Sequence, residues 1–261
     1  MTETSISLVE HSKGGYKLNS TNASQDIHPT AILENEVHVA EGVIIEPYCH
    51  IVGPVEIGKG TKISSFCYIR GPAKIGERNR INPHCVFGTE PESRDAKPSG
   101  TIIIGNDNIV SEFTAIQRGT GDRDTEIGDN NFIMDNVHIS HDNKLGNNVT
   151  LAPNVVLGGH TVVHDGATIG IASSTHQFST VGAYSMIGMN STITKDVPPF
   201  TVVFGNPAKI SKWNMYQMNK LGMKNIPSGE IYEKYHSKFV KDSRRDILDI
   251  SSITDSRKKE N

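Results

Sequence analysis

The stretch "VEIGKGTKISSFCYIRGPAKIGERNRI", residues 55–81, places isoleucine at positions 57, 63, 69, 75 and 81. A period of six does not suit an amphipathic helix, which turns every 3.6 residues. It suits short β-segments joined by tight corners, each pointing one aliphatic side chain inward. Outward from this stretch the phase runs unbroken from Ile27 to Phe87. It resumes at Ile104, Val110 and Ile116, and again from Ile127 to Ile193, where only Thr175 is polar. Four residues after each of these positions lies a small or β-branched residue, such as Val37, Val149, Val155 or Ala167. If three segments close one coil, residues 18 apart stack, and Cys49, Cys67 and Cys85 keep that spacing. The 26 hexads then make between eight and nine coils. The expectation is a mainly β chain, with a parallel β-helix over 27–205. Polar insertions leave it near 88–101 ("GTEPESRDAKPSG" at its centre) and near 119–126 ("GTGDRDTE").

Composition agrees with such a core. The chain has 261 residues, 36% hydrophobic but only 6% aromatic, and 24 glycines. Net charge is −3, which gives no reason to expect nucleic acid as a partner. The charge is uneven, because residues 206–261 hold 12 Lys and Arg against 7 Asp and Glu. That end could dock an acidic partner, or it could be a solvated helical surface. Its spacing predicts a helical C-terminal region over 206–261. Met215, Met218 and Leu221 would share one face, and Ile231, Tyr235 and Phe239 another. Residues 1–26 read as a flexible polar extension without the apolar stretch of a signal peptide. No apolar run approaches a membrane span, so stable membrane insertion is not expected and a cytoplasmic location is. The three cysteines share the interior register. They read as core side chains, neither disulfide-bonded nor metal-bound.

Stacking by one coil also assembles a candidate site. His141 falls under Gly159 and then Gln177. Asp142 falls under His160, and Ser140 under Gly158 and then His176. "HISHD" (138–142), "LGGH" (157–160) and "THQF" (175–178) therefore meet on one strip. An imidazole beside a carboxylate is a general base with an orienting partner. Gly159 would let a substrate approach its backbone N–H, as an oxyanion site requires. His138, His160, His176 and Gln177 would hydrogen-bond a polar substrate. With every cysteine in the core, direct transfer is more natural than a covalent enzyme intermediate. His138, His141, His160, His164 and His176 could instead supply ligands to zinc. A β-helix scaffold or binding module without catalysis is the third reading.

These motifs resemble the acyl-carrier-protein–dependent UDP-N-acetylglucosamine 3-O-acyltransferases that begin lipid A synthesis. "IHPTAI" (27–32), "RGT" (118–120), "NVHISHD" (136–142), "LGGH", "THQF" and "DVPPF" (196–200) occur in the family's order. The resemblance implies a left-handed parallel β-helix with a C-terminal α-helical cap, assembled as a homotrimer with sites between subunits. It implies His141 as general base, Asp142 as its partner and Gly159 as oxyanion donor. His138, His160, His176 and Gln177 would contact the sugar nucleotide or the acyl group. Met189 would be the acyl-chain ruler, and its bulk suggests a medium-length 3-hydroxyacyl chain. Lys220 would stand where the family has a phosphate-binding Arg. No metal or resident cofactor is implied beyond the 4'-phosphopantetheine arm of the acyl carrier protein, and the other substrate would be a UDP-sugar. Lys209, Lys212, Lys220 and Lys224 would form the carrier's landing surface. The insertion at 88–100 lacks the family's "QDLKY"-like order. A paralogue taking an amino sugar, another nucleotide sugar or an acetyl-CoA donor is therefore the alternative.

Overall fold

A computed structural model of the chain describes residues 26–94, 99–121 and 123–223. Short strands wind through three parallel sheets, here called I, II and III, visited in that order by each coil. Sheet I runs from Asp26–Ile27 to Thr201–Phe204, sheet II from Ile32–Glu34 to Thr192–Ile193, and sheet III from Val37–Val39 to Thr180–Val181. Within each strand the expected aliphatic points inward. Ile45, Ile51, Ile63, Ile69, Ile133, Ile139, Leu151 and Leu157 are all buried, and Phe87 fills the same row. Removal of each such side chain from water contributes roughly 1.5–3 kcal/mol.

The register shows how the insertions are accommodated. Ile139 pairs with Leu157, the expected one-coil step. Across the first insertion, Phe87 pairs with Ile116 and Ile81 with Val110. Across the second, Ile116 pairs with Ile139 and Val110 with Ile133. The extra residues leave as loops, and the ladder closes behind them without a slip. The row four residues on is small for a steric reason, since it sits where the chain turns a corner. Cys49, Cys67 and Cys85 are buried there, and their thiols donate to the carbonyls of Ser64, Asn82 and Ser111 at 3.1, 3.2 and 3.1 Å. Its polar members answer one another. Asn79 Oδ1 accepts from Asn108, Asn108 Oδ1 from Asn131 N, and Asn131 Oδ1 from Val149 N. These bonds satisfy groups that would be costly to bury alone.

Two expectations need correction. Sheet I holds eleven strands, ten of them parallel, so the solenoid has about ten turns rather than eight or nine. The last rung was hidden because it falls out of phase. Val203 pairs with Ile187, although the intervening chain departs from the six-residue spacing. The region from residue 206 is not helical throughout. Lys209–Trp213 turns back as an antiparallel strand on Thr201–Phe204 and covers the open edge of sheet I. The described helix is Met215–Lys220, capped by Asn214, whose side-chain oxygen accepts from Gln217 N. Met218 is buried, whereas Met215 and Leu221 are exposed. Ile231, Tyr235 and Phe239, and the extension before residue 26, lie outside the described residues.

His164 gives the fold a dependence on acid. It is buried at the corner between sheets III and I, and burial holds its imidazole below the ordinary histidine range against the pull of Asp165. The unfolded chain therefore takes up this proton first. The stabilisation is complete above the ordinary pKa of 6.5 and is lost as pH falls below it. The thermal midpoint is expected to drop between about pH 7.5 and about pH 5.5, and to drop less in His164→Gln. An equal drop in the variant would assign the acid sensitivity to other groups.

Candidate active site

The strip predicted from stacking forms at the corner where the chain passes from sheet II to sheet III. His141 and Asp142 lie between strands His138–Ile139 and Lys144–Leu145. Gly159 and His160 lie one coil on, between Val156–Leu157 and Val162–Val163, and Gln177 one coil further. Backbone bonds fix the stack. His160 N donates to His141 O at 3.0 Å, and Phe178 N donates to Gly159 O at 2.9 Å. Asp142, His160 and Phe178 have φ of 60°, 59° and 63°, a left-handed conformation that few bulky residues adopt. The rings of His160 and Phe178 stack at 4.5 Å, and His141 meets His160 edge-on at 5.3 Å.

The imidazole and carboxylate form a close pair. His141 Nδ1 lies 2.6 Å from Asp142 Oδ2. The Asp142 side chain has no exposure, and that of His141 only 11%. His160 Nε2 stands 3.5 Å from the same oxygen. The other carboxylate oxygen accepts from Thr120, by backbone N–H at 2.9 Å and by hydroxyl at 3.1 Å. His141 N donates to Gln117 Oε1 at 3.2 Å, and Asp142 N donates to Thr125 Oγ1 at 2.9 Å. Gln117 precedes the second insertion, and Thr120 and Thr125 lie in it. Both insertions leave the prism at this same corner, one and two coils before His141.

Gly159 has a role that the sequence did not show. A Cβ built on it would fall 2.7 Å from His141 Cε1 and 2.9 Å from Nε2. The missing side chain makes room for the imidazole. Gly158, next to it, is held at both ends. Its N–H donates to Thr175 Oγ1 at 3.1 Å and its carbonyl accepts from Thr161 Oγ1 at 2.8 Å. Thr175, the polar break in the aliphatic row, thus lies directly behind the site.

His138 projects from the outer face of sheet II beside this corner, 3.9 Å from Glu92 of the first insertion. His176 and Gln177 are exposed on the strip, and His176 Nδ1 approaches Gln177 O at 3.0 Å. His164 stands on another corner, so the five histidines do not converge. The three potential ligand atoms of His141, Asp142 and His160 lie within 4.8 Å of one another. Their arrangement is that of a hydrogen-bonded dyad. An ion between Nδ1 and Oδ2 would need bonds of about 2 Å to each, which a 2.6 Å separation does not fit in a tetrahedral site. Oδ1 is taken by Thr120.

Two expected residues are not brought to the dyad within the chain. Met189 is 66% exposed at the corner between sheets I and II. Lys220 ends the helix that Asn214 ties to Tyr184 and Phe200 at the corner between sheets III and I. Thr120, Gln117, Thr161, Thr175 and Phe178 are the contacts that sequence reasoning missed. "RGT" and "THQF" lay in the motifs used, but nothing in their spacing indicated which side chain reaches which.

The bacterial transferase hexapeptide family (six repeats) matches residues 36–71, 54–89 and 124–159. The acyl-[acyl-carrier-protein]–UDP-N-acetylglucosamine O-acyltransferase of Thermodesulfovibrio yellowstonii is 39% identical over 239 residues, 90% of each chain. That of a Sulfurovum species is 42% identical over 210 residues, 78% of each chain. The solved structure of LpxA from Acinetobacter baumannii superposes with a TM-score of 0.74 at 34% identity, over 90% of each chain. At that identity over nine tenths of its length, and with the same solenoid, the chain belongs to the acyl-[acyl-carrier-protein]–UDP-N-acetylglucosamine O-acyltransferase family.

Proposed function

We propose that the protein moves a 3-hydroxyacyl chain from acyl carrier protein to the 3-hydroxyl of UDP-N-acetylglucosamine by direct transfer. The observation that carries this reading is the 2.6 Å contact between His141 Nδ1 and buried Asp142. A carboxylate at Nδ1 keeps the proton on that nitrogen and leaves Nε2 as the basic site. The names of the relatives supply the substrates.

In this scheme Nε2 takes the proton of the acceptor hydroxyl as its oxygen attacks the thioester carbonyl. The Gly159 backbone N–H meets the negative charge that develops on the carbonyl oxygen. The C–S bond then breaks, and the imidazolium returns its proton to the departing thiolate. An ester and a free carrier thiol result, with no acyl-enzyme. The cysteines are buried, and the neighbouring Cys67 thiol together with burial pushes the Cys49 thiol far above its ordinary range. No resident metal or cofactor is required, since the 4'-phosphopantetheine arm arrives on the carrier. His138, His160, His176 and Gln177 contact the sugar nucleotide or the acyl group.

The complete site belongs to a homotrimer. Met189 and Lys220 lie on other edges of the prism from His141, so a neighbouring copy is needed to bring them to one cleft. There Met189 limits the acyl chain to medium length and Lys220 faces the phosphates. Lys209 and Lys212, exposed on the reversed strand, and Lys220 offer cations to the acidic carrier. The reaction takes place in the cytoplasm with that donor. Among the described residues, no helix is long and apolar enough to cross a membrane.

Transfer by the purified protein from 3-hydroxyacyl carrier proteins of several lengths is the direct test. Turnover is expected with medium chains, with a loss of about 10²- to 10⁴-fold in His141→Ala and unchanged assembly. Met189→Gly is expected to extend the preferred chain, and reversal of Lys209 and Lys212 to raise the carrier's KM. Turnover only with another sugar nucleotide or with acetyl-CoA would replace the proposed substrates. Gly159→Ala is expected to remove most activity with the solenoid still folded, because the new methyl group displaces the imidazole. Activity near wild type would show that the ring can shift without cost.

A further inference from the structure

Asp142 meets two imidazoles on one oxygen and a threonine on the other. Oδ2 lies 2.6 Å from His141 Nδ1 and 3.5 Å from His160 Nε2, while Oδ1 accepts both bonds from Thr120. A carboxylate free to turn about its Cβ–Cγ bond could serve either ring. Two donors on Oδ1, one of them rigid backbone, stop that rotation and leave Oδ2 aimed at His141. The Asp142 backbone is tied to the same insertion, because its N–H donates to Thr125 Oγ1 at 2.9 Å.

Thr120 is itself placed by the closure of the two insertions on each other. Gly100 N donates to Gly119 O at 3.1 Å, and Ser99 Oγ donates to Thr120 O at 3.5 Å. The approach leaves no room for side chains. A Cβ on Gly119 would fall 1.9 Å from Arg123 O, and one on Gly100 would fall 2.6 Å from the Gly119 carbonyl carbon. The end of the first insertion thus presses on the start of the second, and this junction presents Thr120 to the buried carboxylate.

We infer that Thr120 is a positioning residue of the reaction, holding Asp142 so that its free oxygen orients His141 rather than His160. This rests on the reading of His141 as the base. The second insertion is then a brace for the dyad, and the first insertion supports the brace.

The test uses the full-length protein, with Thr120→Val and Thr120→Ser. Valine keeps the shape and the backbone N–H but loses the hydroxyl, while serine keeps the hydroxyl. Thr120→Val is expected to lower kcat about tenfold, the effect of one hydrogen bond to a charged group, with KM for the acceptor little changed. Thr120→Ser is expected to restore most of that loss. The low-field proton resonance of His141 Nδ1, assigned with ¹⁵N-histidine and His141→Asn, reports the pair without any substrate. It is expected to move in the valine variant and return in the serine variant. Wild-type kcat in Thr120→Val, or serine as impaired as valine, would overturn the inference. If the wild type transfers nothing to UDP-N-acetylglucosamine, the proposed activity fails but the resonance still decides. A shift in valine alone upholds the positioning role, and an unmoved resonance overturns it.

Discussion

Everything in this molecule depends on the in-register stacking of one coil on the next. Each strand has only two to five residues and could not persist alone. It is held by backbone bonds to the coil before and the coil after, and by an inward aliphatic that touches the same position in both. This makes the solenoid close to one-dimensional, with each coil dependent on its neighbours. It also explains the ends. The last parallel strand of sheet I would expose its edge, and the chain reverses at residues 205–208 to lay Lys209–Trp213 against it.

The same constraint turns distant sequence into one site. A residue's position within the coil determines which corner it occupies, and coil number determines its height. His141, Gly159 and Gln177 share a corner for this reason alone. Insertions are tolerated only at corners, since a strand residue cannot leave without breaking two ladders. Both large insertions occupy the corner of the dyad. There they supply what the regular coil lacks, namely side-chain donors that reach a buried carboxylate. Burial of Asp142 with no exposure would be costly without its partners. Thr120 and His141 together satisfy both oxygens.

The aromatic residues show how local strain is offset by stacking. Tyr48, Phe66 and Phe113 have φ near 60°, and their rings and that of His84 stack at 5.1 Å from coil to coil. His160 and Phe178 repeat the arrangement at the dyad's corner. Repetition of a left-handed corner gives the inner rings, Phe66 and His84, a neighbour above and below, which a single turn in a globular protein would not have.

The fold was legible because a six-residue period in bulky aliphatics is a one-dimensional pattern, and a solenoid is a one-dimensional structure. Where the pattern held, in the runs Ile27 to Phe87, Ile104 to Ile116 and Ile127 to Ile193, strand positions, inward residues and the stacking of His141 under Gly159 followed by counting. Where it failed, counting failed too. The final rung through Val203 and the reversed strand Lys209–Trp213 carry no hexad phase, and amphipathic spacing further on suggested helix from residue 206. The site was legible to the same degree. The sequence by itself determined that His141, Asp142, Gly159, His160 and Gln177 share one strip. Only the tertiary structure decided that Thr120 grips Asp142, that Gly159 is bare because an imidazole occupies its space, and that Met189 and Lys220 stand on other edges. Those facts depend on where irregular loops turn and which way side chains point, and no period in the sequence encodes either.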